Sequence, residues 1–145
     1  MKKIIAKDYK HLRSLIVQEI NKNGYKCDLN HIDVSNITNL SYMFRYSRFN
    51  GDISKWNVSK VTDMTSVFSN SQFNQDISNW DVSDVTNMSG MFYNSQFNQD
   101  ISNWDVSNVT IMYAMFYYSP FDRDISKWYV NKVIDMRFMF NSMGF

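Results

Sequence analysis

The chain is poor in the residues that most often carry covalent chemistry or interrupt a fold. Its single cysteine, Cys27, excludes an intramolecular disulfide and fits a reducing compartment. One Pro and four Gly in 145 residues argue against linkers, low-complexity tails and a Gly-rich phosphate loop. The only imidazoles are His11 and His31, and neither sits in a Ser or Cys nucleophile motif or a cluster with metal-ligand spacing. The chain is therefore expected to be no enzyme, with no catalytic residue, no cofactor and no metal. No apolar run approaches the roughly 20 residues of a membrane span. The opening MKKIIAKDYKH begins like an export signal, but Lys7, Asp8 and Lys10 interrupt any apolar stretch. Cytoplasmic residence is the expectation, with the cell surface or the exterior reached only by a leaderless route.

Aromatic residues are abundant, at 17%, and they are periodic. Trp56, Trp80, Trp104 and Trp128 stand 24 residues apart. Ile53, Ile77, Ile101 and Ile125 form a second column, and Val58, Val82, Val106 and Val130 a third. Phe44, Phe68, Phe92, Phe116 and Phe140 make another, and Tyr25, Phe49, Phe73, Phe97 and Phe121 yet another. Written once, the unit is F-N-x-D-I-S-x-W-x-V-S-x-V-T-x-M-x-x-M-F-x-x-S-x. A fixed period of this length marks a stacked-repeat architecture. Residues 25–145 divide into repeats 25–48, 49–72, 73–96, 97–120 and 121–144, and Phe145 opens an incomplete sixth. In this scheme Cys27 has Gly51, Gln75, Gln99 and Arg123 as its equivalents, so the repeat does not require a thiol there.

Within a unit, Ile53-x-x-Trp56-x-Val58-x-x-Val61 approaches the L-x-x-L-x-L pattern of a leucine-rich repeat. The alternation at Trp56, Asn57 and Val58 predicts a short strand with Asn57 outward. The spacing of Val61, Met64 and Phe68 predicts a short helical or 3-10 stretch, which Ser59, Ser83 and Ser107 would cap. The fold class expected is a leucine-rich-repeat-like solenoid, with one short parallel strand and one short helical or 3-10 stretch per 24-residue turn. Asp28, Asp52, Asp76, Asp100 and Asp124 recur ahead of each strand and are expected to hold turn amides rather than calcium.

Residues 1–24 break the period and read as an N-terminal α-helical cap. Ile4 and Ile5 suggest a short strand. Asp8 is a helix N-cap, and Leu12, Leu15, Ile16 and Ile20 mark an apolar face ending near Gly24. This segment carries six Lys/Arg against Asp8 and Glu19, whereas the repeats carry nine Lys/Arg against twelve Asp. The basic opening raises nucleic-acid or membrane-surface binding as an alternative. The acidic repeat body opposes it, because phosphate recognition needs a continuous basic stripe.

The run F-N-Q-D-I-S-N-W-D-V-S, followed one residue later by V-T-x-M-x-x-M-F, occurs at Phe73–Phe92 and again at Phe97–Phe116. These residues closely resemble the BspA-like family of leucine-rich-repeat proteins, and the opening resembles its short, leaderless members. The resemblance implies a solenoid that binds protein, and in large bacterial members surface display and adhesion.

The function expected is non-catalytic protein binding to a partner whose identity the sequence does not give. A small intracellular inhibitor or adaptor of a host protein, of the kind a mobile element encodes, is the alternative. Two surfaces are candidates. The strand reading turns Asp33, Asn57, Asp81, Asp105 and Tyr129 toward a concave face bordered by Lys55, Lys60, Lys127 and Lys132, with His31 on the same side. The second surface is the C-terminal end, where Ile111, Tyr113, Tyr118, Ile134, Phe138, Met143 and Phe145 replace or extend residues that are mostly polar in earlier units. A homodimer joined through the last repeat about a two-fold axis is the corresponding expectation.

Overall fold

The computed structural model describes residues 2–140. Strand β1 (Ile4–Ile5) pairs in parallel with β2 (Ile32–Asp33), Ile4 opposite Ile32 and Ile5 opposite Asp33. Helix α1 (Tyr9–Asn23) lies between them in sequence. Its first turn is closed by Asp8, whose carboxylate accepts the His11 amide at 2.8 Å. Gly24, at φ 88°, ends it and donates to the Ile20 carbonyl, a conformation that favours glycine. Leu12 and Ile16, one turn apart, are buried. Tyr9 Oη donates to the Ser41 carbonyl, and Glu19 reaches His31 Nε2 at 3.0 Å, so α1 lies against the first repeat.

Successive repeats are linked by parallel pairing between residues 24 apart: Asn39 with Asp63, Asp63 with Asn87, Asn87 with Ile111, and Ile111 with Asp135. The inter-repeat ladder runs through the M-x-x-M-F segment. The amides of Met64, Ser66, Phe68 and Asn70 donate to the carbonyls of Asn87, Ser89, Met91 and Tyr93 at 2.8–2.9 Å. The amides between them turn back three residues, Val67 to Met64, Ser69 to Ser66 and Ser71 to Phe68. The segment is thus a chain of overlapping β-turns. Left-handed residues at Ser66 (φ 53°) and Asn70 (φ 55°) rotate alternate peptides toward the neighbouring repeat.

This arrangement revises the expected elements. Among the described residues the repeats contain no helical or 3-10 stretch. The three- and four-residue spacing of Val61, Met64 and Phe68 arises from β-turns, which also bring residues i and i+3 together. The Trp56–Val58 position forms a strand in the first repeat alone, as β2, where Ile32 occupies the tryptophan column. In later repeats the indole replaces the strand bond. Nε1 of Trp56, Trp80, Trp104 and Trp128 donates to the carbonyl of Leu29, Ile53, Ile77 and Ile101 of the preceding repeat, at 2.9–3.1 Å.

The apolar columns fill the interior. Phe44, Phe68, Phe92, Phe116 and Phe140 stack with centroids 5.6–5.7 Å apart. Phe49, Phe73, Phe97 and Phe121 stack at 6.1–6.3 Å and interleave with the first column at 4.2–4.9 Å. Within each column the centroids are farther apart than the roughly 4.7–4.9 Å of adjacent strands, as expected for rings that stack with an offset.

Candidate interaction surfaces

Acidic and amide residues occupy the turns at three places in each of the first three repeats and at two in the fourth and fifth, where Ile111 and Tyr129 interrupt the columns, and each accepts the amide two positions on. In the second repeat Asp52 holds Ser54 N at 2.9 Å, Asn57 holds Ser59 N at 3.0 Å and Asp63 holds Thr65 N at 2.9 Å. The serines expected to cap helices are instead held by these groups: Ser83 Oγ and Ser107 Oγ donate to Asp81 and Asp105 at 2.6 Å. Hydrogen bonds from Ser35, Ser54 and Ser107 hold the carboxyls of Asp33, Asp52 and Asp105 below the ordinary carboxylate value. Asn50, Asn74 and Asn98 form a further ladder, each Oδ1 accepting the amide 24 residues on at 2.8–3.3 Å.

The first candidate face is accordingly built from turn-forming groups. Asn57, Asp81 and Asp105 are exposed but each is bonded locally, and Asp33 is half-buried within β2. Tyr129 is exposed, and its hydroxyl accepts from Asn131 Nδ2 at 2.6 Å. Lys132 Nζ donates to Asn108 Oδ1 at 2.8 Å, and Lys60 is exposed. Lys55 and Lys127 stand beside a different column. Lys55 lines a cleft of about 330 Å³ with Lys3, Asp28, Asn30 and His31, and Lys127 lines one of about 220 Å³ with Asp100, Ser102, Arg123 and Asp124. His31 is buried against Glu19, so it ties α1 to the first repeat and does not contribute to an open polar face.

The second candidate surface is partly assembled. Ile134 is 84% exposed, and with Ile111, Asp135, Met136 and Arg137 it borders a cleft of about 380 Å³. Phe138 is exposed and meets Tyr113 and Tyr117 edge-on at 5.8 and 5.6 Å. Tyr118 packs beside Tyr117 at 4.3 Å and edge-on to Tyr93 at 6.0 Å. Arg137 lies over Tyr113 at 5.4 Å while its guanidinium pairs with Asp135 at 2.9 Å. Met143 and Phe145 lie outside the described residues.

A third surface was missed by the sequence reading. The ladder face carries an open groove of about 470 Å³. Its floor is small and polar, from Thr65, Ser66, Ser69, Asn70, Ser89, Gly90 and Ala114. Tyr42, Arg45 and Tyr46 close one end, and Tyr93 and Tyr113 the other. Arg45 lies over the rings of Tyr42 and Tyr46 at 5.4 and 4.8 Å. The available signal was the interruption of columns in the first repeat: Tyr42 stands above Ser66 and Gly90, and Tyr46 above Asn70 and Asn94.

No group of three or more His, Cys, Asp or Glu able to hold a metal ion occurs among the described residues, and no helix there is long and apolar enough to cross a membrane. Cys27 is buried, and desolvation pushes its thiol pKa up.

Aromatic columns in 24-residue register, indole bonds between successive units and turn-forming side chains repeated on the outside define a repeat protein. The chain belongs to the family described as Mycoplasma protein of unknown function, DUF285, which it matches over residues 13–119 and again over 73–144. No curated protein and no solved structure matches it.

Proposed function

We propose that this repeat protein is a non-catalytic binding module: a leucine-rich-repeat-like solenoid of the BspA-like kind that recognises another protein through side chains outside the repeated columns. The observation that carries this reading is the division of its aromatic residues. Those in register are buried in stacks, apart from Tyr25 in the first repeat and Phe140 in the last, whereas Tyr42, Tyr46, Tyr113, Tyr118, Tyr129 and Phe138 stand outside the columns and are exposed. Tyr and Arg are the residues most enriched at the energetic centres of protein interfaces, and exposed aromatics without a stacking role fit that use. The acidic turn columns are better suited to setting charge complementarity around such a centre than to forming it.

The chain supplies its own control substitutions. Tyr118→Asn, Ile134→Thr and Phe138→Ser each install the residue that another repeat carries in the same column. The combined variant should fold and lose retention of its protein partner in affinity capture from the native cell. Capture equal to wild type would remove the C-terminal surface from the function. Exposure of Ile134 and Phe138 favours self-association as a second reading. Sedimentation of wild type beside the same variant tests it, and a wild-type monomer at micromolar concentration refutes it.

A further inference from the structure

The groove on the ladder face differs chemically from both surfaces above. Its backbone is already committed. The amides of Tyr42, Ser66, Asn70 and Gly90 donate to Thr65, Ser89, Tyr93 and Tyr113, and that of Ser69 turns back to Ser66. An extended peptide docking by main-chain hydrogen bonds would find few partners there. What the groove offers is the Ser66 hydroxyl and the remaining lone pairs and N–H groups of Thr65, Asn70 and Ser89, which also bond Asp63, Ser69 and Asn94, and the Tyr113 carbonyl, with tyrosine rings at both ends. Its volume lies within the range of small-molecule sites. The floor is open because the left-handed column reads Tyr42, Ser66, Gly90, Ala114 and Phe138, with its small residues between two bulky ones.

The charge of the groove is one-sided. No carboxylate is among its lining residues, and Arg45 contributes a guanidinium. The salt bridges among the described residues are Glu19–His31 and Asp135–Arg137, so Arg45 has no carboxylate partner. A ligand with many hydroxyls, ring faces able to lie on tyrosine, and a carboxylate to meet Arg45 satisfies all three features. We infer that this groove, lined by Tyr42, Arg45, Ser66, Asn70, Tyr93 and Tyr113, is a binding site for an acidic oligosaccharide bearing uronic-acid carboxylates. The groove shares Tyr42, Tyr46 and Tyr113 with the exposed aromatics of the protein-binding reading, but Tyr118, Ile134 and Phe138 do not line it, so the Tyr118→Asn, Ile134→Thr, Phe138→Ser variant separates the two.

Hyaluronan hexasaccharide serves as the acidic probe and chitohexaose as its neutral counterpart, with the full chain titrated by calorimetry at low salt. Hyaluronan should bind, and Ser66→Tyr should weaken it at least tenfold by filling the groove. The backbone accepts that substitution, since Tyr42 already occupies the same column at φ 62° beside φ 53° at Ser66. If Ser66→Tyr fails to fold, Tyr42→Ser with Tyr113→Ser, both residues found elsewhere in those columns, should give the same tenfold loss. Arg45→Ser should reduce hyaluronan binding to the level of chitohexaose. Absence of hyaluronan binding at millimolar concentration overturns the site, as does binding that survives the groove variants. Equal binding of the two saccharides by wild type overturns the acidic specificity. Binding of poly-glutamate, blocked by Ser66→Tyr, in place of hyaluronan would assign the groove to an acidic peptide and refute the proposal.

Discussion

Replacing Trp104 by alanine should cost more than any surface change in this chain, and its size follows from the burial of the ring and two contacts. The side chain is 4% exposed, its ring lies 6.3 Å from Phe92, and its Nε1 donates to the Ile77 carbonyl at 3.1 Å. Removing a buried indole from a core costs about 3–5 kcal/mol, including the cavity left behind. Loss of the hydrogen bond adds little beyond this, because the Ile77 carbonyl also accepts the Trp80 amide at 3.1 Å and stays partnered. Domains of this size are stable by about 5–15 kcal/mol in total, so the change removes a large share. Stability in repeat proteins is a sum over neighbouring contacts, and Trp104 joins the third repeat to the fourth. Urea unfolding followed by circular dichroism should show a lower midpoint and a smaller m value, as the last repeats detach before the first ones. Trp104→Phe keeps most of the ring, loses the hydrogen bond and should fall between wild type and alanine. A Trp104→Ala protein within about 1 kcal/mol of wild type, with an unchanged m value, would refute the role assigned to the indole column.

Two smaller perturbations test the turns. The carboxyls of Asp33, Asp52, Asp100, Asp105 and Asp124 titrate below the ordinary value because turn amides and hydroxyls bond the charged form. Their contribution is complete above the unfolded value of about 3.9 and is lost as pH falls through the lower folded values. The urea midpoint should therefore be flat from neutral pH to about 5 and fall below about 4. Asp105→Asn, the residue found at position 57, should fold and soften the fall, whereas Asp105→Ala should lower the midpoint at every pH. Gly51 is different in kind: a Cβ there would meet the Cys27 carbonyl oxygen at 1.9 Å and the Phe49 ring at 2.8 Å. Gly51→Ala should destabilise by about 1–3 kcal/mol in the same assay, although Gln75, Gln99 and Arg123 occupy the column elsewhere.

The interior was legible because stacking demands identical residues at a fixed interval, and the Trp, Ile, Val and Phe columns meet that demand openly. The course of the backbone was not legible from the same residues. Met64, Val67 and Phe68 have a spacing shared by a helix and by overlapping β-turns. What separates the two is the sign of φ at positions 66 and 70. Side-chain type gives little guide to that sign, since the first of these columns reads Tyr, Ser, Gly, Ala and Phe. Tryptophan concealed the position of the ladder for a related reason. Its place in an L-x-L pattern suggests a strand, but its indole N–H makes the inter-repeat bond in the backbone's stead. On the polar faces the exposure of the side chains was legible, but the local bonds that fix them were not. Asp81 and Asp105 are exposed, yet their geometry is fixed by Ser83 and Ser107. The groove depends on which columns share a face, and that is a property of the turns.

The left-handed columns connect folding to recognition. A bulky residue at positive φ costs roughly 1–2 kcal/mol, and glycine or asparagine carries that conformation with less strain. Gly90, Asn70 and Asn94 suit it, whereas Tyr42, Tyr46, Tyr118 and Phe138 hold it at φ 56–62° despite the cost. Tyr46 isolates the effect, because it is 67% exposed and its ring meets the Arg45 guanidinium at 4.8 Å. Asparagine at this position would stand over Asn70, whose side-chain oxygen already accepts from Asn94 at 2.7 Å, and could lengthen that ladder. Tyr46→Asn should therefore stabilise the chain by about 0.5–1 kcal/mol in urea unfolding while weakening whatever ligand the groove holds. A gain in stability with a loss of binding is the signature of strain retained for recognition. If Tyr46→Asn instead destabilised the fold, the tyrosine would be a structural residue, and the left-handed aromatics would no longer point to a binding surface.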